Sequence, residues 1–176
     1  MTASTGELTA EEQQAVDFYL EYQESVRHAL RYPKDLKKAE EWSRFLVFLR
    51  NLDSALCKSS LEGSRLFYRG VEKGYAERLL FLLDIKPGER SDFTPHILQD
   101  PSYISFSSSV SQALDRSSGR REPAVIFVYR AEPGHEGLVL DEAKDEVLLP
   151  RNTRWLTTGY ETDGLDITCI CLERFS

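Results

Sequence analysis

The sequence predicts an α+β fold, with helices first and then mostly strands in a largely antiparallel sheet or sandwich. Three observations predict it. Two long stretches of helical-period apolar residues fall before residue 58. After residue 65 the apolar runs are short, and in Ala124 to Tyr129 they alternate, with Val125, Phe127 and Tyr129 set against Ile126 and Val128. Polar, Gly- and Pro-containing turns separate those runs.

The elements follow in order. Thr9-Ala10-Glu11-Glu12 is a capping box, so a helix runs from about Ala10 to Arg31, with Val16, Tyr19, Val26 and Leu30 on one face. Pro33 ends it. A second helix runs from about Lys34 to Lys58 along Leu36, Ala39, Trp42, Phe45, Leu46, Leu49, Leu52 and Leu56. Ser59 to Ser64 is a polar loop, Leu66 to Arg69 the first strand, and Tyr75 to Leu83 a short helix. Lys86 to Glu89 is a turn, and residues 90 to 102 form an irregular loop. Ile104 to Ser107 is a strand, and a short helix passes through Ala113 and Leu114. Ser117 to Arg121 is a basic loop. The remaining strands are Ala124 to Tyr129, Leu138 to Leu140, Val147 to Leu149, Thr153 to Thr157 and Ile167 to Leu172. No internal repeat or linker divides the chain. It reads as one domain over 1–176, with a helical lead-in at 8–58 and a mainly β core at 65–176.

Composition narrows the function. The 176 residues are 41% hydrophobic and 29% charged, with a net charge of -7. Such an acidic chain is a poor nonspecific nucleic-acid binder, since that affinity comes from cations on phosphates. No apolar run is long enough for a membrane span. The segment Met1 to Glu7 has no secretory h-region. The expectation is a protein that stays cytosolic or leaves without a cleavable signal. Cys57, Cys169 and Cys171 give neither a CxxC pair nor an even count, against a disulfide scaffold or zinc site. Cys169 and Cys171 share one strand face and read as small buried apolar residues.

Glu146 opens the apolar run Val147-Leu148-Leu149, where a carboxylate loses hydration unless something compensates. Taken alone it is a solvated Glu at a strand start. Tyr68-Arg69-Gly70 and Phe106-Ser107-Ser108-Ser109 add polar groups at other strand ends, and the three stretches together suggest one site. His28, His96 and His135 form no Ser/His/Asp arrangement.

These three stretches, in this order, resemble the Arg, Ser-Thr-Ser and Glu-x-Glu motifs of mono-ADP-ribosyltransferases of the arginine–serine–glutamate class, which includes bacterial exotoxins and injected effectors. Asp53-Ser54-Ala55-Leu56 before the first motif, Ser111 and Ala113 after the second, and Asn152-Thr153-Arg154-Trp155 after Pro150 match too. The resemblance runs from about Leu8 to the end. It implies a split antiparallel β-sandwich with an NAD cleft, NAD as co-substrate and no metal. It also implies a target protein as partner and action in a host or target-cell cytoplasm after secretion or injection.

The chemistry explains these residue types. Breaking the ribose–nicotinamide bond develops oxocarbenium-like charge on the sugar, as in glycoside hydrolysis. Glu146 would stabilise that charge and hold the 2′-hydroxyl. Arg69 would fork onto the diphosphate, its alternative being a rim salt bridge. Gly70 would let the backbone approach the carboxamide. Ser107 would hydrogen-bond Glu146 and fix its direction. Arg120 and Arg121 lie where family members often contact cofactor phosphates, the alternative being a solvated loop pair. Ser109 has a helix-starting turn as its alternative.

Two departures matter. Lys144 stands where the family has Glu or Gln, two places before Glu146. A cationic Lys would repel a guanidinium acceptor, so arginine is a doubtful target, and a hydroxyl, carboxylate, amide or thiol acceptor, or water, becomes the expectation. Alternatively Asp145 or Glu142 supplies the carboxylate. The loop after the serines lacks the aromatic that often stacks on nicotinamide, leaving Phe93, Tyr103 or Phe106 as substitutes. Two other readings stand beside transfer to protein: an NAD glycohydrolase, and a non-catalytic interaction module using the acidic helical face.

Overall fold

The structure is a computed structural model that describes residues 3–35, 39–86, 93–117, 124–141, 146–163 and 167–175. The elements in chain order are β1 (Ala3–Thr5), α1 (Ala10–Arg31), a 3-10 turn (Pro33–Asp35), α2 (Ala39–Cys57), β2 (Ser59–Leu61), β3 (Arg65–Gly70), α3 (Lys73–Leu82), β4 (Ile97–Gln99), β5 (Ile104–Ser107), α4 (Val110–Arg116), β6 (Ala124–Ala131), β7 (Leu138–Asp141), β8 (Glu146–Leu149), β9 (Arg154–Asp163) and β10 (Ile167–Phe175). The α+β order expected from the sequence is present.

The chain forms two compact units. The first comprises Met1–Gly63, Asp100–Ser105 and Glu132–Thr153. Its core lies along α1 and α2, where Val16, Tyr19, Val26, Leu49, Leu52 and Leu56 pack with Tyr103, Leu138 and Leu148. The capping box is formed: the Thr9 hydroxyl accepts from the Glu12 N–H at 3.3 Å, and the Glu12 carboxylate accepts from the Thr9 N–H at 2.7 Å. The same carboxylate accepts from Ser54 Oγ at 2.6 Å and Lys58 Nζ at 2.7 Å, which fastens the start of α1 to the end of α2. In this unit β1 pairs with β2, and β8 lies between β5 and β7.

The second unit comprises Ser64–Gln99, Phe106–Ala131 and Arg154–Ser176. Its strand order is β4-β9-β10-β6-β3-β5. All its pairs are antiparallel except β6 with β10, which are parallel. Phe106, Tyr129 and Trp155 form a buried ring cluster, with centroids 4.9 to 5.8 Å apart. Strand β5 is shared: it begins in the first unit and ends in the second.

Several boundaries differ from the sequence reading. Pro33 to Asp35 form a 3-10 turn rather than the start of the second helix, the Asp35 N–H donating to Tyr32 O; Leu36 to Lys38 lie outside the described residues, and α2 is described from Ala39. Ser59 to Leu61 is a strand rather than loop, held by register with Ala3 to Thr5. Ile97 to Gln99 is a strand inside the expected irregular loop, laid against Arg154 to Leu156. Strand β9 continues to Asp163 along β10, although its second half is largely exposed and lacks apolar alternation. Cys169 and Cys171 do share a face, but it is the half-buried one. Thr168, Ile170 and Leu172 take the core side. Cys57 is exposed.

Candidate active site

Strand β3 presents Arg69 and Gly70 at its end, where Arg69 pairs with Phe127 and Gly70 with Ile126 of β6. Arg69 is half-buried. Gly70 has a packing reason of its own. A Cβ there would stand 2.1 Å from the Ala113 carbonyl oxygen and 2.6 Å from the Ser117 nitrogen. The backbone at the end of α4 fills that space, so only glycine fits β3 beneath it.

Across from Tyr68 on the neighbouring strand is Ser107. The three serines have three tasks. Ser107 is buried, donates to Gln112 Oε1 at 3.1 Å and accepts from the Ser109 N–H at 3.0 Å. Ser108 accepts from Arg65 Nη2 at 3.1 Å. Ser109 is the N-cap of α4, its hydroxyl accepting from the Gln112 N–H. Gln112 therefore meets Ser109 through its backbone and Ser107 through its side chain. The Ser-x-x-Gln spacing from Ser109 was the signal available for it.

In the first unit Glu146 opens β8 and is only 5% exposed, so it is not a surface residue. All four residues of the strand are buried. A carboxylate in that setting is costly unless it is bonded or used. Arg27 of α1 was missed by the sequence reading. It is buried, and its Nη2 donates to Ser105 Oγ of β5 at 2.8 Å while Nη1 pairs with Glu24.

The candidates for the stacking aromatic separate. Tyr103 is wholly buried, donates its hydroxyl to Asp53 Oδ1 at 2.7 Å and meets Tyr19 edge-on. Phe106 is committed to the ring cluster with Tyr129 and Trp155. Neither face is available to a ligand. Phe93 remains, half-buried and tilted against Tyr160 at 5.8 Å. Arg120, Arg121, Lys144, Asp145 and Glu142 lie outside the described residues. His28 pairs with Asp35, the His96 ring meets the Thr94 carbonyl, and His135 accepts from the Glu132 N–H, so none joins a triad. Burial pushes the Cys57, Cys169 and Cys171 thiols up, which makes them poor nucleophiles. Among the described residues no cluster of His, Cys, Asp and Glu could hold a metal ion.

No family model and no curated protein matches the chain. Solved structures do. C3stau2 from Staphylococcus aureus, solved with NAD, superposes with a TM-score of 0.72 at 18% identity, over 97% of this chain and 89% of that one. The fold is that of the ADP-ribosyltransferase toxins. An ADP-ribosyltransferase from Clostridium botulinum gives 0.71 at 19% identity, over 96% and 88%. Exoenzyme S from Pseudomonas aeruginosa, solved with human 14-3-3 protein beta and carba-NAD, gives 0.64 at 18%, over 94% and 74%.

Taken singly, the half-buried Arg69 guanidinium at the end of β3 has the chemistry to meet a diphosphate, and the buried Ser107 hydroxyl and the buried Glu146 carboxylate each have the chemistry to meet a ribose hydroxyl.

Proposed function

We propose that this protein is an NAD-dependent mono-ADP-ribosyltransferase acting on a target protein, as a bacterial toxin or effector in a host or target cell. The observation that carries the reading is Glu146, a buried carboxylate opening a buried strand in a chain with the ADP-ribosyltransferase fold. Bound NAD would supply the ribosyl–nicotinamide bond that the reaction breaks. Glu146 would hold the 2′-hydroxyl and offer negative charge where positive charge develops. Arg69 would take the diphosphate, because a planar fork matches phosphate oxygens. Ser107 would hold Glu146 in direction, with its own hydroxyl set by Gln112 and the Ser109 N–H. Phe93 is the aromatic left to stack on nicotinamide.

The acceptor would not be arginine. Lys144, two places before Glu146, puts a cation where an arginine target would need a carboxylate. Labelled NAD incubated with a cell lysate, with wild type beside Glu146→Ala, tests the reading. A protein band labelled only by the wild type is the expected result, and mass spectrometry of it identifies the acceptor side chain. Absence of both label and nicotinamide release would overturn the enzyme reading. Release without label would turn it toward NAD hydrolysis. A modified arginine would overturn the role given to Lys144.

A further inference from the structure

Glu146 sits at one end of a four-residue strand, and the other end is tied to α2. Asp53, on α2, accepts a fork from Arg151: Nη2 to Oδ2 at 2.8 Å, and Nε to Oδ2 at 3.0 Å and Oδ1 at 3.2 Å. The same carboxylate accepts the Tyr103 hydroxyl at 2.7 Å. Arg151 follows β8 directly after Pro150, and Tyr103 immediately precedes β5, the strand beside β8. The turn between is also fixed. Thr153 Oγ1 donates to Pro150 O at 2.6 Å, and Asn152 takes the left-handed φ of 59° that asparagine tolerates better than most residues.

We propose that Asp53 is a positioning residue for Glu146, clamping β8 and the start of β5 onto α2 through Arg151 and Tyr103. The inference rests on Glu146 being the catalytic carboxylate.

Stability alone does not explain the arrangement. The Asp53 and Arg151 side chains are each about a third exposed, and exposed ion pairs add little to stability. What a forked pair fixes is direction, since two parallel hydrogen bonds leave the guanidinium one orientation. Strand β8 spans only four residues, so a shift at Arg151 has little chain in which to relax before Glu146. Burial, and next Asp53, push the Tyr103 phenol up, so it stays a protonated donor to Asp53 at any working pH.

The test is the steady-state rate of nicotinamide release from NAD by the full chain in the presence of cell lysate, with kcat expressed per folded molecule from circular dichroism. Asp53→Asn keeps the shape and removes the charge that orders both donors. The expected result is a fall in kcat of about 10- to 100-fold with KM for NAD unchanged. Tyr103→Phe, which loses one hydroxyl, and Arg151→Lys, which keeps the cation but not the fork, should fall in the same sense. They carry the test if Asp53→Asn does not fold. Arg44→Ala, which breaks the exposed pair with Glu40, should match wild type. Wild-type kcat in the Asp53, Tyr103 and Arg151 variants, or a change confined to KM, overturns the clamp while leaving the function standing. A folded wild type without turnover overturns the function and the clamp together.

Discussion

At the scale of single residues, burial turns a motif into an assignment of tasks. Three consecutive serines read alike in the sequence, yet Ser107 is the buried one, Ser108 meets Arg65 and Ser109 caps a helix. Ser109→Ala should therefore cost about 1 kcal/mol of stability with little effect on transfer, as a urea midpoint and an activity assay would show. Ser107→Ala should do the reverse. Gly70→Ala should destabilise by about 1–3 kcal/mol in thermal or urea unfolding, because the new methyl meets backbone rather than a movable side chain. Loss of activity there would thus not by itself reveal a ligand contact. Glu146→Gln should lower transfer about 100-fold or more in a protein that still folds, since it removes the charge and keeps the shape. The sequence put Glu146 and Ser107 at strand ends, where the structure also has them, because each borders an apolar run. It did not show Arg27, whose Ser105 partner lies on another element 78 residues away.

At the scale of elements, the strongest device is the junction of α1 and α2. Glu12 closes the capping box and also receives Ser54 and Lys58 of α2. The hydrogen bond from Lys58, then those from Ser54 and the Thr9 backbone, hold its carboxyl well below the ordinary 4.5, at about 2. A carboxyl depressed on folding binds protons more readily when unfolded. The stability it contributes is therefore full above about 4.5 and is lost as pH falls toward about 2. Urea midpoints at pH 5 and pH 3 should differ more in wild type than in Glu12→Gln; equal differences would contradict the clamp. The box itself was legible from Thr9 and Glu12 alone. Ser54 and Lys58 were not, because their partner lies more than forty residues away. Asp53 carried a fainter signal: an acidic residue beside Leu49, Leu52 and Leu56 on the packed face of a helix calls for a partner.

At the scale of the whole molecule, helix-then-strand order gave the class, and long periodic or alternating segments gave α1, β3, β5, β6, β8 and β10 close to their observed places. The three-residue strands β1, β2 and β4 were not legible, because each is a strand only by virtue of its partner. The parallel pairing of β6 with β10 was not legible either, since apolar alternation gives a face and not a direction. The likeness to toxin structures at 18–19% identity shows how far the fold persists where overall sequence similarity is slight. Binding of NAD is what would tie this fold to the proposed function. Calorimetric titration of NAD into the purified chain, with wild type beside Arg69→Lys, tests this most directly. Saturable binding by wild type, weakened about tenfold or more when the guanidinium fork becomes an ammonium, is the expected result. A folded wild type that takes up no NAD would contradict it.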